Sequence, residues 1–106
     1  MPTESIALTE AVYYILLSLH KPMHGYGIMQ NVAELSGGRV NLAAGTLYGA
    51  LDTMYRKGWI AELPGEKSSR KKQYIVTTLG QDIAKNEITR LRELLANGER
   101  IIGGDR

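Results

Sequence analysis

The chain has 106 residues, 43% hydrophobic and 23% charged, with a net charge of +2 and no cysteine. That length makes one small domain, and the lack of cysteine excludes disulfides and thiolate metal sites and fits a reducing cytoplasm. The apolar run from Ile6 to Leu19 is broken by Thr9, Glu10 and Ser18 and preceded by Glu4 with no basic residue, so it predicts neither a membrane span nor a signal peptide.

That run predicts a first helix from about Leu8 to His20, apolar or aromatic nearly all the way round and so buried on most sides. Its own domain is too small to cover all of it, which leaves Tyr13 and Leu17 for a second subunit. Pro22 ends the helix, with His20 and Lys21 expected in its last turn. A second helix is expected from about Tyr26 to Ser36, with Ile28, Val32 and Leu35 on its apolar stripe, and Gly37-Gly38 stops it. Gly25 and Gly27 at its entrance permit an unusual turn or tight packing.

The third helix begins near Gly45, with Asn41 as its expected N-cap. Leu47, Leu51 and Met54 give it one apolar face, and Gly58 stops it at a position suited to a left-handed residue. The opposite face holds Gly45, Thr46, Gly49, Asp52, Thr53 and Arg56, all small, polar or charged. A glycine inside a helix costs about 1 kcal/mol against alanine, a cost most easily understood if something approaches the Gly49 backbone closely. Trp59 to Leu63 then forms a short strand and Lys71 to Val76 its return, joined through Pro64-Gly65 and a polar tip. Two strands and a basic loop behind a helix-turn-helix make a wing, and Trp59 is expected in the core.

Thr77 caps a fourth helix from about Thr78 to Ile102. Ala84, Ile88, Leu91, Leu95, Gly98 and Ile102 recur at spacings of four and three, the a/d seam of a coiled coil. Ile83, Leu94 and Ile101 form a neighbouring stripe expected to meet the first helix. Two long apolar helices exceed what so small a core can bury, which favours a dimer over a helix folded back on its own domain.

The charge is uneven. From Arg56 to Lys72 there are six basic and two acidic residues, a balance of +4 that leaves −2 for the rest. Such a segment suits a nucleic-acid backbone, although lysine-rich turns also serve simply to solubilise a hairpin. Catalysis has little to stand on. His20 and His24 flank Pro22, no acidic cluster has metal-ligand spacing, and neither a phosphate loop nor a nucleophile elbow is present.

The segments Leu8-Thr9 to Leu19, His24-Gly25-Tyr26, Gly45-Thr46-Leu47-Tyr48 with Leu51, Gly58-Trp59-Ile60, and Lys71 to Thr77 followed by Gly80 resemble the PadR family of bacterial transcriptional regulators. The resemblance runs from about Ile6 into the fourth helix and is closest to the short subfamily, in which one C-terminal helix makes the dimer. It implies a mainly α fold with a small β-hairpin: a winged helix-turn-helix over residues 6–77, a dimerisation helix over 78–102 and a frayed tail over 103–106. It further implies a cytoplasmic, homodimeric repressor on a palindromic double-stranded DNA operator, often released by a small apolar effector, with no cofactor.

Within that reading Gly45, Thr46, Tyr48 and Gly49 face DNA from the recognition helix, and Lys71 and Lys72 do so from the wing. The basic wing itself adds Arg70, the three side chains straddling a phosphate strand or entering the minor groove. Tyr13, Leu17, Ile88, Leu91, Leu95 and Ile102 form the expected dimer interface. Thr46 also fits a helix-start hydroxyl bonded to local backbone, and Tyr48 a half-buried core aromatic. The first turns of the helix lack Asn, Gln and Arg, so readout is expected to lean on shape and half-site spacing. The alternative is a small-molecule-binding or protein-interaction module that keeps the winged-helix fold without an operator.

Overall fold

The computed structural model describes residues 7–64 and 72–104. Its elements run α1 (Glu10–Ser18), β1 (Met23–His24), α2 (Gly25–Leu35), α3 (Ala44–Arg56), β2 (Ile60–Leu63), β3 (Gln73–Val76) and α4 (Thr78–Ile102). The mainly α winged-helix architecture expected from the sequence is what the chain adopts, with one addition. Met23 and His24 form a third strand, and the antiparallel sheet is ordered β1-β3-β2.

Local chemistry sets the ends of these elements. The Thr9 side chain accepts from the Val12 N–H, so α1 starts at Glu10 rather than Leu8. It ends at Ser18, which leaves His20 and Lys21 beyond the helix and corrects their expected place in its last turn. α2 stops where the Gly38 N–H reaches back to the Ala33 carbonyl at 2.8 Å, with Gly37 and Gly38 both at positive φ. The N-cap of α3 is Ala43, which supplies no side-chain bond. Asn41 instead donates to the Gly38 carbonyl at 2.7 Å, correcting its expected role as the cap. Gly58, at φ 80°, closes α3 by the left-handed turn that its position in the sequence suggests.

The core lies between α1, α2, α3 and the sheet. Ile15, Leu16, Leu19, Ile28, Val32, Leu47, Leu51, Met54 and Ile60 are at most 2% exposed, and Trp59 joins them at the end of α3. Leu35, expected on the buried stripe of α2, is instead exposed. Across the α1–α2 contact, Asn31 donates to the Ser18 hydroxyl and Ser18 donates to the Tyr14 carbonyl, both at 2.8 Å. Polar groups inside a helix pair are therefore satisfied.

The start of α4 is tied to the wing. Thr77 Oγ1 donates to the Gly58 carbonyl at 2.6 Å and accepts from the Gly80 N–H at 3.1 Å. A side chain at Gly80 would overlap the Trp59 carbonyl oxygen and lie 2.7 Å from Val76 Cγ2, so only glycine fits there. Ile83 and Ala84 are buried against the body, whereas every residue from Leu91 to Ile102 is exposed. The stripe Ile83, Leu94, Ile101 therefore meets its own domain only at Ile83, which corrects the expectation that all three would. At 1.5 Å per residue the 25-residue helix is about 37 Å long, and its second half projects from the domain.

Candidate nucleic-acid interface

The apolar face of α3, Leu47, Leu51 and Met54, is sealed in the core and fixes the direction of the other face. Gly45, Thr46, Tyr48, Gly49, Asp52, Thr53 and Arg56 are all exposed on it. A Cβ built at Gly45 or Gly49 meets no atom within 4 Å, so nothing in the fold itself demands glycine at either position. The result is a helix whose first turns show bare backbone to solvent, open to an incoming surface.

Tyr48 stands at the edge of this face. Half of it is exposed, and its phenol rests on Gly25 at the entrance of α2. Behind it is a polar cleft of about 210 Å³ lined by Tyr48, Asp52, Tyr55, Glu62, Lys72 and Tyr74. This cleft is where the helix meets the strands of the wing. Burial pushes the Tyr74 hydroxyl above its usual pKa, and the Glu62 carboxylate adds to that rise, so Tyr74 stays a neutral group.

The charges on this face are partly answered within the chain. Arg56 pairs with Asp52 one turn earlier at 2.9 Å, and Lys72 pairs across the sheet with Glu62 at 3.6 Å. Both are exposed pairs, which hold weakly and yield readily to a stronger anion. Arg70 and Lys71, the other two wing residues expected to face DNA, lie outside the described residues, as does the turn from Gly65 to Ser69.

A model of the transcriptional regulator PadR-like family matches residues 14–86, from the middle of α1 to the buried start of α4. The chain belongs to the PadR-like family of transcriptional regulators. No curated protein matches it. Among solved structures it is similar to a PadR family transcription regulator from Clostridium difficile, at 24% identity and a TM-score of 0.76 over 89% of this chain and 99% of the other. A PadR-like transcription factor from Bacteroides fragilis matches at 25% identity and a TM-score of 0.69, covering 85% of this chain and 87% of the other. A PadR family regulator from Eggerthella lenta matches at 22% identity and a TM-score of 0.69, covering 90% and 82%.

As a PadR-like regulator the chain is a DNA-binding transcription regulator, with α2 and α3 as the helix-turn-helix and β2–β3 as the wing. No described helix is long and apolar enough to cross a membrane. The residues expected at a subunit contact are divided in the protomer. Tyr13, Leu17 and Ile88 are half-buried, while Leu91, Leu95 and Ile102 are 39%, 61% and 86% exposed.

Two features of this PadR-like chain escaped the reading of its sequence: the partner against which Gly25 packs, and the buried Glu87. Gly25 carries the Tyr48 contact across 23 positions of sequence, a distance that no local periodicity reports. Glu87 is 2% exposed and receives both arms of Arg90, at 2.7 and 2.8 Å. The fork of hydrogen bonds from Arg90 holds its carboxyl below the usual range against the opposing effect of burial, helped by the Leu8 N–H. The i, i+3 spacing of the pair, beside Ala84, Ile88 and Leu91, was the signal available.

Proposed function

We propose that this PadR-like regulator is a homodimeric repressor that binds a palindromic operator. The observation that carries the reading is the exposed face of α3. Gly45 and Gly49 leave its backbone open, Thr46 and Tyr48 offer hydroxyls, and Lys72 of the wing stands across the cleft. A helix set N-terminus first into the major groove brings such groups to phosphates and base edges. Residues 6–77 are the DNA-binding unit in this reading and residues 78–102 the dimerisation helix. Its support is the run of uncovered apolar side chains Leu91, Leu94, Leu95, Ile101 and Ile102. A patch of that kind on a small domain marks a surface for association.

Release by a small apolar effector belongs to the same proposal. Its support is an apolar groove of about 310 Å³ between α1 and α3, lined by Leu8, Val12, Ala50, Met54 and Trp59. A ligand seated there touches the inner side of the recognition helix.

The test is a gel shift with duplexes from the protein's own promoter at rising salt. Binding falls by orders of magnitude between about 50 and 200 mM salt if several phosphates are contacted. Changing Lys71 and Lys72 together to alanine weakens it and flattens the salt dependence. Unchanged binding by that variant removes the wing from the interface. No retarded band at low salt with any fragment would favour the alternative, a winged-helix module for small molecules or proteins.

A further inference from the structure

We propose that Gly25 is a positioning residue for the recognition helix, acting through Tyr48. The inference rests on the assignment of the exposed face of α3 to DNA. Gly25 opens α2 directly after its N-cap His24, whose imidazole accepts from the Gly27 N–H, and it is buried. Its φ is not positive, so the turn itself has no need of glycine. What a side chain here would meet is the neighbour. A Cβ at position 25 would lie 2.7 Å from Tyr48 Cζ and 3.2 Å from Cε1, and would overlap the phenolic oxygen.

The ring therefore takes the volume of the missing side chain. The entrance of α2 and the second turn of α3 are in contact at this point, two helices of the reading head joined through one aromatic. β1 adds the wing to the same junction. His24, next to Gly25, is in register with Gln73 of β3, and Met23 with Tyr74, which lines the cleft beside Tyr48. The Tyr48 hydroxyl is thus held at a fixed height between helix and wing while half the residue remains open to solvent. An alanine at position 25 pushes the phenol outward or forces α2 and α3 apart, and either displaces the hydroxyl from the place at which it meets a phosphate.

The test is a double-mutant cycle on the full chain: native, Gly25→Ala, Tyr48→Ala and the double variant. Each is measured for thermal midpoint and for affinity to a duplex from its own promoter at low salt. In the native background Gly25→Ala lowers the midpoint and weakens binding about tenfold, a coupling typical of residues in contact. In the Tyr48→Ala background the ring atoms nearest to that Cβ are gone. There the same change raises the midpoint, because alanine suits a helical position better than glycine, and alters affinity by no more than about twofold.

Equal losses in both backgrounds, or no loss in the native one, overturn the proposal. If Gly25→Ala alone does not fold, the double variant still must, and failure of both overturns it equally. The thermal arm needs no DNA. A reversal of its sign together with no binding by the native protein refutes the DNA reading on which the proposal stands. A retained DNA signal without the reversal refutes the role of Gly25 alone.

Discussion

At the scale of single residues, the recognition face is defined more by what is missing than by what is present. Thr46 is exposed in the first turn of α3 and offers a hydroxyl for a direct contact, and Thr46→Ala should weaken operator binding several-fold, by the loss of about one hydrogen bond, with the thermal midpoint unchanged. A fall in midpoint without a fall in affinity would assign the hydroxyl to helix initiation instead. The acidic partners Asp52 and Glu62 make the opposite prediction. Each sits beside a cation on the face offered to phosphate. Asp52→Asn with Glu62→Gln should tighten binding severalfold at about 50 mM salt, and the gain should shrink as salt rises because exposed charges are screened within roughly 10 Å at 0.1 M. Fluorescence anisotropy at two salt concentrations measures both. Weaker binding by this double variant would instead mean that the carboxylates accept hydrogen bonds from bases.

At the scale of elements, the helices were largely legible from their apolar patterns and from the residues that start or stop them. Leu47, Leu51 and Met54 mark α3, Gly58 ends it, and Thr77 begins α4 at the residue where the sequence places it. What could not be read depends on neighbours far along the chain. β1 has two residues, too few for any alternation, and exists only because β3 offers an open edge. Asn41 has the side chain of a cap but is drawn to the Gly38 carbonyl, and the pairing of Gly25 with Tyr48 is a fact of packing alone. The joint between α4 and the wing gives a stability prediction. Thr77→Ala removes both the cap of α4 and the bond to the Gly58 carbonyl, and should cost about 1–2 kcal/mol in denaturant unfolding. The Glu87–Arg90 pair gives a pH prediction. The folded pKa of Glu87 is lowered, so its contribution is present above the ordinary carboxylate range near pH 4 and is lost as pH falls through the folded value. Glu87→Gln should therefore show a flatter fall of stability on the acid side, followed by thermal unfolding across that range. An unchanged acid limb would assign the acid sensitivity to other carboxylates.

At the scale of the whole molecule, the protomer is elongated, 61 × 37 × 20 Å, because the second half of α4 leaves the body with its leucines and isoleucines uncovered. Apolar side chains uncovered in a row on so small a domain mark an interaction surface, and the proposed dimer would cover them. Since Leu91 and Leu95 are exposed in the protomer, Leu91→Glu with Leu95→Glu should leave the fold intact and yield monomers in sedimentation velocity. Persistent dimers would place the subunit contact elsewhere, with α1 the next surface to examine. The two-fold pairing is what would turn a recognition helix with few base-reading side chains into a specific reader, since half-site spacing then carries information that the helix face lacks. A footprint of the full-length protein on its own promoter tests this central claim most directly. The account predicts two protected half-sites in inverted repeat, their centres about one helical turn (roughly 10 bp) or a multiple apart, and loss of both together in the Leu91→Glu, Leu95→Glu variant. A single protected half-site that the monomeric variant protects equally well would contradict it.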